Sequence, residues 1–208
     1  MKPEVFWGII RDNLFGGSMT QGVVDTINTI TDTYYAESGG NAIPEHLAYV
    51  LATAYHESYH RSLNPNWNPV REGFSNTNAG AIATVTMLYN HGRITTNYAK
   101  VQPNGKSYYG RGYVQITWPD NYRRMGNRLG IDLYGNPDLA LERGIASRLL
   151  VVGMIEGLYT GRKLSDYGAH DFDAYNARRI INGLDKAELI RGYYETFNLA
   201  ITGSIHAG

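Results

Sequence analysis

The stretch PEHLAYVLATAYHESYH, residues 44–60, organises the chain, and its pattern predicts a helix. Pro44 suits the first helical position, because its missing N–H would have no partner there, and Glu45 lies favourably at the positive end of the helix dipole. Four apolar residues recur at helical spacing: Leu47, Val50, Leu51 and Ala54. Glu57 projects from the shoulder of this stripe, so we expect a partly desolvated carboxyl whose pKa is raised towards that of a proton donor.

Three interpretations of this helix stay open on its residues alone. Residues 56–60 read HESYH and match H-E-x-x-H, a zinc-peptidase signature in which His56 and His60 bind the metal and the glutamate is the base. Alternatively, Glu57 is the general acid of a glycosidase, and the histidines take no part in catalysis. The third interpretation is an amphipathic core helix whose polar residues point to solvent. A five-residue motif alone does not decide between them.

Composition limits the classes of partner. Lys and Arg together number 19, as do Asp and Glu, so the formal net charge of the 208 residues is +0. Nucleic acid is therefore disfavoured as a partner, because phosphate binding needs a basic surface. The 17 tyrosines and 24 glycines are unusual. Tyrosine offers a flat apolar face with a polar tip, which suits sugar rings, although a tyrosine-rich core is the simpler explanation.

The chain has no cysteine, so disulfides and thiolate metal sites are excluded and a reducing compartment is acceptable. No stretch approaches the run of about 20 apolar residues that spans a membrane. The first residues, MKPEVFWGIIRDN, lack the long apolar run of a signal peptide. We therefore expect cytoplasmic synthesis without a signal peptide and no membrane insertion.

Helical patterns recur along the rest of the chain. Residues 3–14 predict a first helix, and a capping-box pattern at residues 18–21 begins a second. Further helices are predicted at residues 79–91, 119–129, 137–158, 173–181 and 186–201. Because no repeat or interdomain linker is visible, we expect a single domain over residues 1–208. Its fold class is mainly α, with N-terminal helices in residues 1–40 and a small wing of strand and loops.

The polar loop over residues 62–78 carries a second acidic candidate. Its many Asn and Pro residues exclude long regular structure, and the helix before it should end near Asn64, because the residue before Pro65 avoids helical geometry. Glu72 lies in this loop between Trp67 and Phe74. An acidic loop residue is normally only solvated. Its aromatic neighbours and its position after the Glu57 helix make Glu72 a candidate for catalysis.

Residues 113–118, YVQITW, alternate in polarity and predict a short strand. Tyr113, Gln115 and Thr117 would form its hydrogen-bonding face, which suits either the wall of a carbohydrate cleft or a solvated edge strand. Residues 92–107 before it are polar and irregular, which predicts a mobile loop or a lid.

The stretch YYGRGYVQITWPDNY, residues 108–122, resembles the signature of the family 19 glycoside hydrolases, the class of plant chitinases and of many phage endolysins. Four further segments occur in family order: HES at 56–58, REGF at 71–74, NPDL at 136–139 and IING at 180–183. The resemblance covers roughly residues 41–201, the family-like core. Five segments in order are far more specific than any single motif.

The resemblance implies a two-lobed, mostly helical, lysozyme-like fold and hydrolysis, with inversion, of β-1,4 bonds between N-acetylated sugars. It matches Glu57 with the general acid, Glu72 with the general base, and Thr117 with a hydroxyl residue that helps to hold the attacking water. We expect substrate contacts from five residues: Gln115, Tyr109, Asn121, Asn182 and Arg191. The last of these stands for the arginine of the family's final helix, displaced by one position.

The lack of cysteine, the lack of a visible signal peptide and the compact size favour an endolysin-type enzyme that reaches the cell wall after its release and cuts bacterial peptidoglycan at the MurNAc–GlcNAc linkage. Chitin is the alternative substrate, and a glycan-binding protein without catalysis is a further alternative. A zinc peptidase loses ground, because Leu63 and Asn66 stand where one class of these enzymes needs Gly and His, and no second motif clearly supplies a third ligand. We expect no cofactor and no metal.

Overall fold

The computed structural model describes residues 2–206, and side chains over residues 2–205. The helices of this range are α1 Pro3–Leu14, α2 Gln21–Ser38, α3 Pro44–Ser58, α4 Asn78–Asn90, α5 Pro119–Leu129, α6 Arg143–Glu156 and α7 Ala187–His206. Two short antiparallel strands, β1 Val70–Arg71 and β2 Arg111–Gly112, form the only sheet found there. The expectation of a mainly α fold with a small strand wing is confirmed. None of the helices described is long and apolar enough to cross a membrane.

Helix α3 is the centre of the main core. It packs chiefly against α7, and α7 also covers α1, while α2 lies along α6. Every residue of α3 from Glu45 to Ala54 is buried, so the predicted apolar stripe is in fact a helix enclosed on all sides. Because each buried large aliphatic side chain contributes about 1.5–3 kcal/mol, this helix is a rigid base for whatever its last turn carries.

Helix α3 ends at Ser58, six residues before the predicted end near Asn64. Tyr59 is extended, with φ −85° and ψ 135°. The side-chain amide of Asn64 donates to the Ser58 carbonyl at 2.8 Å, and the Trp67 indole donates to the Ser58 hydroxyl at 2.9 Å. These two bonds satisfy the helix end from within the following loop, and the chain turns away there.

The predicted strand at residues 113–118 is wrong. Pairing is limited to Val70 with Gly112 and Arg71 with Arg111, and the chain then reverses so that Arg111 bridges to Ile116. Gly112 makes this possible, because its φ is +85° and a Cβ atom there would lie 2.9 Å from the Ala140 carbonyl oxygen. The alternating polarity of residues 113–118 therefore occurs in a tight turn and not in a pleated strand.

Two helix predictions in the second half of the chain are also corrected. The helix predicted for residues 137–158 is a 3₁₀ helix, Pro137–Leu141, followed by α6, with extended backbone at Glu142 between them. The one predicted for residues 173–181 is a short 3₁₀ helix, Asn176–Ile180. Periodicity locates such segments but does not distinguish one α-helix from two shorter pieces.

Candidate active site

One cleft of about 480 Å³ contains both acidic candidates. It lies where the end of α3, the turn after β2 and the segment after the 3₁₀ helix Asn176–Ile180 meet. The residues that line it are Glu57, Glu72, Tyr98, Val114, Gln115, Ile116, Thr117, Trp118, Asn121, Tyr159, Ile181 and Asn182. This single groove brings together most of the residues predicted for catalysis or substrate binding: Glu57, Glu72, Thr117, Gln115, Asn121 and Asn182.

Glu57 lies in the last turn of α3 and forms an ion pair that the sequence did not reveal. Its Oε1 accepts from Nη1 of Arg178 at 2.6 Å, and the two side chains are only 17% and 5% exposed. Arg178 comes from the 3₁₀ helix Asn176–Ile180, and its Nε donates to the Asp185 carbonyl at 3.1 Å. The carboxyl expected on an apolar shoulder is therefore faced by a buried guanidinium.

Glu72 has a different environment, with no cationic hydrogen-bond partner among the residues whose side chains the structure describes. Its Oε1 accepts from the Tyr98 hydroxyl at 3.1 Å, and its Oε2 accepts from the Gly110 N–H at 2.9 Å. Burial raises the pKa of Glu72, the two donors lower it, and the negative charge of Glu57 adds to the increase. The net direction is upward. Glu72 is therefore not simply solvated, as acidic residues on polar loops usually are, because its backbone and side chain both bond to Gly110, next to β2.

Gly110 brings Glu72 and Gln115 together. A Cβ atom added to Gly110 would lie 2.5 Å from Glu72 Oε2 and 2.8 Å from Gln115 Oε1. The amide nitrogen of Gln115 donates to the carbonyls of Val70 and Gly112, at 3.1 and 3.0 Å, so its Oε1 is left to accept from a ligand N–H or O–H. Gln115 holds φ at +54°, a conformation rare outside glycine and typical of functional sites.

Thr117 and Asn121 complete this side of the cleft. The Asn121 amide nitrogen donates to the Thr117 carbonyl at 2.8 Å, and its Oδ1 accepts from Arg124 at 2.7 Å. Both ends of the Asn121 amide are therefore occupied by protein. The Thr117 hydroxyl makes no hydrogen bond to another described residue, so it is available to hold a water molecule or a sugar hydroxyl.

Two predicted substrate contacts lie outside the cleft. Tyr109 is fully buried, its hydroxyl donates to Asn78, and its ring lies 3.7 Å from the guanidinium carbon of Arg111. Arg191 is 46% exposed on α7, where it pairs with Glu188 and Glu195 one turn away on either side. Tyr109 is thus a core residue and Arg191 lies at the surface. The arginine that contacts Glu57 is Arg178.

Two residues that contact the carboxyls, Arg178 and Tyr98, were not predicted from the sequence. Arg178 lies two residues before the recognised IING segment, so its nearness to that motif could have drawn attention to it, although no sequence feature distinguishes it from the adjacent Arg179. Tyr98 lies in residues 92–107, where no periodicity exists to indicate a direction for any side chain. Its role depends on how the loop folds.

The zinc interpretation does not fit the helix end. Because α3 stops at Ser58, His60 is not one helical turn above His56 on the same helix. The Nδ1 atom of His60 instead accepts from the backbone N–H groups of Ser62 and Leu63, at 3.2 and 3.1 Å. Over the part of the chain with described side chains, no three His, Cys, Asp or Glu residues converge as a metal site.

Two carboxyls that line one cleft are the arrangement of many glycoside hydrolases. Comparison with known sequences identifies the family: the model described as "Chitinase class I", of glycoside hydrolase family 19, matches residues 47–149, which include both carboxyls and the β2 turn. The chain belongs to glycoside hydrolase family 19.

Curated relatives match over short segments. Endochitinase 1 of Theobroma cacao is 43% identical over 56 residues, which cover 24% of this chain and 17% of that protein. Endochitinase A2 of Pisum sativum is 56% identical over 36 residues, covering 17% and 11%. The inactive chitinase-like protein 1 of Hevea brasiliensis is 48% identical over 48 residues, covering 23% and 15%. The matched part is thus less than a fifth of each relative.

Solved structures resemble the whole chain. A bacterial family 19 chitinase covers 95% of this chain, with 92% of its own length aligned, at 22% identity and a TM-score of 0.53. Chitinase C from Streptomyces griseus HUT6037 covers 95%, with 75% of its own length aligned, at 21% identity and a TM-score of 0.55. These likenesses establish the lysozyme-like family fold and nothing about activity.

Proposed function

We propose that this protein hydrolyses β-1,4 bonds between N-acetylated sugars with inversion, using Glu57 as general acid and Glu72 as general base. The observation that carries the proposal is the meeting of these two carboxyls, from separate segments, in one cleft. Inverting hydrolysis needs one carboxyl at the leaving oxygen and another on the opposite face of the sugar, with space for a water molecule between them.

The surroundings of the two carboxyls support these roles. A general base is stronger when its pKa lies closer to the working pH, and burial raises the pKa of Glu72. A general acid must give up its proton, and Arg178 lies 2.6 Å from Glu57, where it stabilises the carboxylate that forms. In the free protein Glu57 is ion-paired with Arg178 through Oε1, and its Oε2 takes up a proton from solvent before the bond to the leaving oxygen breaks.

The proposed step moves two protons, one to Glu72 and one from Glu57. Glu72 takes a proton from a water molecule that the Thr117 hydroxyl helps to orient, and the water oxygen bonds to the anomeric carbon. The bond from that carbon to the leaving oxygen breaks, and this oxygen takes the proton of Glu57. Gln115 Oε1 accepts from the acetamido N–H of a bound sugar and fixes the ring relative to the two carboxyls.

The first candidate substrate is bacterial peptidoglycan, cut at the MurNAc–GlcNAc linkage. A cysteine-free chain, which suits a reducing compartment, supports it. Chitin is the second candidate, because the curated relatives are named as chitinases. Both polymers present the acetamido group for which Gln115 is placed.

Mass spectrometry of digests of purified peptidoglycan and of N-acetylchitohexaose tests the proposal. We expect new reducing ends from at least one polymer, retained activity in EDTA, and loss of about 10²–10⁴ in rate for Glu57→Gln and for Glu72→Gln. Binding without any product would show a glycan-binding protein instead. Activity abolished by EDTA, or unchanged in Glu57→Gln, would contradict the two-carboxylate mechanism.

A substrate with an activated leaving group distinguishes the general acid from the general base. An oligosaccharide with a dinitrophenyl leaving group needs little protonation, so it should restore the rate of Glu57→Gln but not of Glu72→Gln. The opposite pattern would exchange the acid and the base.

A further inference from the structure

Trp118 is unusual in being both large and exposed inside the cleft. It is 43% exposed, and its φ of +72° is a strained value for any residue with a side chain. The strain is held by the backbone: the Trp118 N–H donates to the Tyr108 carbonyl at 3.0 Å, and its own carbonyl accepts from Asn121 and Tyr122 at the start of α5. An exposed tryptophan maintained in this conformation gains nothing for the core.

Tyr98 connects Trp118 to Glu72. The Tyr98 and Trp118 ring centroids are 5.6 Å apart with the planes tilted by 51°. The Tyr98 hydroxyl donates to Glu72 Oε1 at 3.1 Å. One aromatic pair therefore lies along the wall of the cleft and ends at the second carboxyl.

The segment that carries Tyr98 is fixed in place, unlike a free lid. Asn97 donates through its amide nitrogen to the Thr86 hydroxyl at 3.1 Å, and the Ser107 hydroxyl donates to the Ala99 carbonyl at 2.6 Å. Ala99 is fully buried. These contacts on both sides of Tyr98 hold its ring against the ring of Trp118.

We propose that Trp118 is the stacking surface for the apolar face of one pyranose ring beside Glu72, and that Tyr98 is a positioning residue that holds Glu72 against that ring. An exposed indole flanked by a hydrogen-bonded tyrosine matches a ligand with an apolar face and polar edges. The indole N–H of Trp118 has no hydrogen-bond partner among the described residues, so it is free to donate to a sugar hydroxyl. The inference rests on the proposed glycan substrate.

Steady-state kinetics on N-acetylchitohexaose and on soluble peptidoglycan fragments separate the two roles. We expect Trp118→Ala to raise KM about tenfold, the scale of one aromatic contact, and Trp118→Phe to recover most of that loss. Tyr98→Phe keeps the ring but removes the donor to Glu72. We expect it to leave KM unchanged, to lower kcat, and to move the acidic limb of the pH profile to higher pH, because a donor to the carboxylate lowers the pKa of Glu72.

Tyr35→Ala is the matched control, since Tyr35 is 44% exposed on α2, outside the cleft. A wild-type KM in Trp118→Ala, or the same change in Tyr35→Ala, would overturn the stacking role. A pH profile of Tyr98→Phe identical to that of the wild type would overturn the positioning role.

A failure of the proposed function is distinguishable from a failure of this inference. If the wild-type protein cuts neither polymer, oxidation of tryptophan by N-bromosuccinimide still tests the stacking. N-acetylchitohexaose should protect Trp118 in the wild-type protein, as read by peptide mass spectrometry. Oxidation of Trp118 at the same rate with and without the oligosaccharide would contradict the stacking role whether or not the protein is an enzyme.

Discussion

The two carboxyls of the cleft are held in opposite ways. Glu57 lies in the last turn of α3 and is paired with Arg178, which is itself buried. Glu72 begins the 3₁₀ helix Glu72–Phe74, and its hydrogen-bond donors among the described residues are neutral: Tyr98 and the Gly110 N–H. Arg178 therefore stabilises a negative charge on Glu57, whereas burial makes a negative charge on Glu72 costly. Substitutions that remove the charge should therefore have opposite effects on stability.

Glu57→Gln should give the largest change in stability. It leaves the Arg178 guanidinium buried without its counter-ion, and we expect the free energy of unfolding at neutral pH to fall by about 3 kcal/mol. Urea denaturation measures it. The double variant Glu57→Gln/Arg178→Met is the control, and it should recover much of the loss, because both charges are then absent. A Glu57→Gln variant as stable as the wild-type protein would show that the ion pair with Arg178 does not stabilise the fold.

Gly110→Ala should be the sharpest test of how Glu72 is positioned. The new methyl group would lie 2.5 Å from Glu72 Oε2, so the carboxyl must move, and a displacement of this kind costs about a hundredfold in kcat/KM. The protein should still fold, since the atoms in the way end flexible side chains.

The matched control for that variant is Gly144→Ala, at an exposed glycine of α6 where an added Cβ would have no neighbouring atom within 4 Å. Full activity in Gly110→Ala would mean that Glu72 and Gln115 need not be held where the structure has them.

Glu72→Gln should abolish activity yet make the fold more stable. Because burial raises the pKa of Glu72, the folded state binds this proton more tightly than the unfolded chain does, and stability falls as the pH rises from the unfolded pKa, about 4.5, through the raised value. Glutamine removes this cost. We expect the stability advantage of the variant to be absent at acid pH, to grow through that window and then to stay constant.

Thermal unfolding followed across pH measures this advantage, and Glu195→Gln, at a glutamate exposed on α7, is the matched control. A Glu72→Gln variant that is less stable than the wild-type protein above neutral pH would contradict the raised pKa of Glu72.

Arg191→Ala should have the smallest effect. Its pairs with Glu188 and Glu195 are exposed, so we expect a change within about 0.5 kcal/mol in stability and wild-type kinetics. Arg178→Ala in a parallel assay should lose most activity. A strong loss of activity in Arg191→Ala would restore the arginine of the last helix as the functional one.

The sequence predicts much of the fold because the helices carry local signals. Pro44 and Pro119 begin helices where expected, and Gly130 ends one in the left-handed conformation. The turn after β2 could not be predicted in the same way. Its shape depends on the left-handed backbone of Gln115 and Trp118, which is stabilised by tertiary contacts and leaves no trace in residue periodicity.

The site was predictable where motifs name its residues and not where distant segments meet. Glu57, Glu72 and Gln115 lie in recognised segments and share the cleft. Arg178 reaches Glu57 across 121 residues of sequence, and Tyr98 reaches Glu72 across 26, through loops without periodicity. The burial of Tyr109 has the same origin, since its aromatic neighbours in the motif do not reveal which face of the turn is covered.

Proton NMR of the first products from a β-linked oligosaccharide tests the central claim most directly, because it reports where the water attacked. With Glu57 protonating the leaving oxygen and Glu72 activating the water, the proposed mechanism predicts that the new reducing end appears first as the α-anomer. A β-anomer formed first would show retention of configuration and contradict the account.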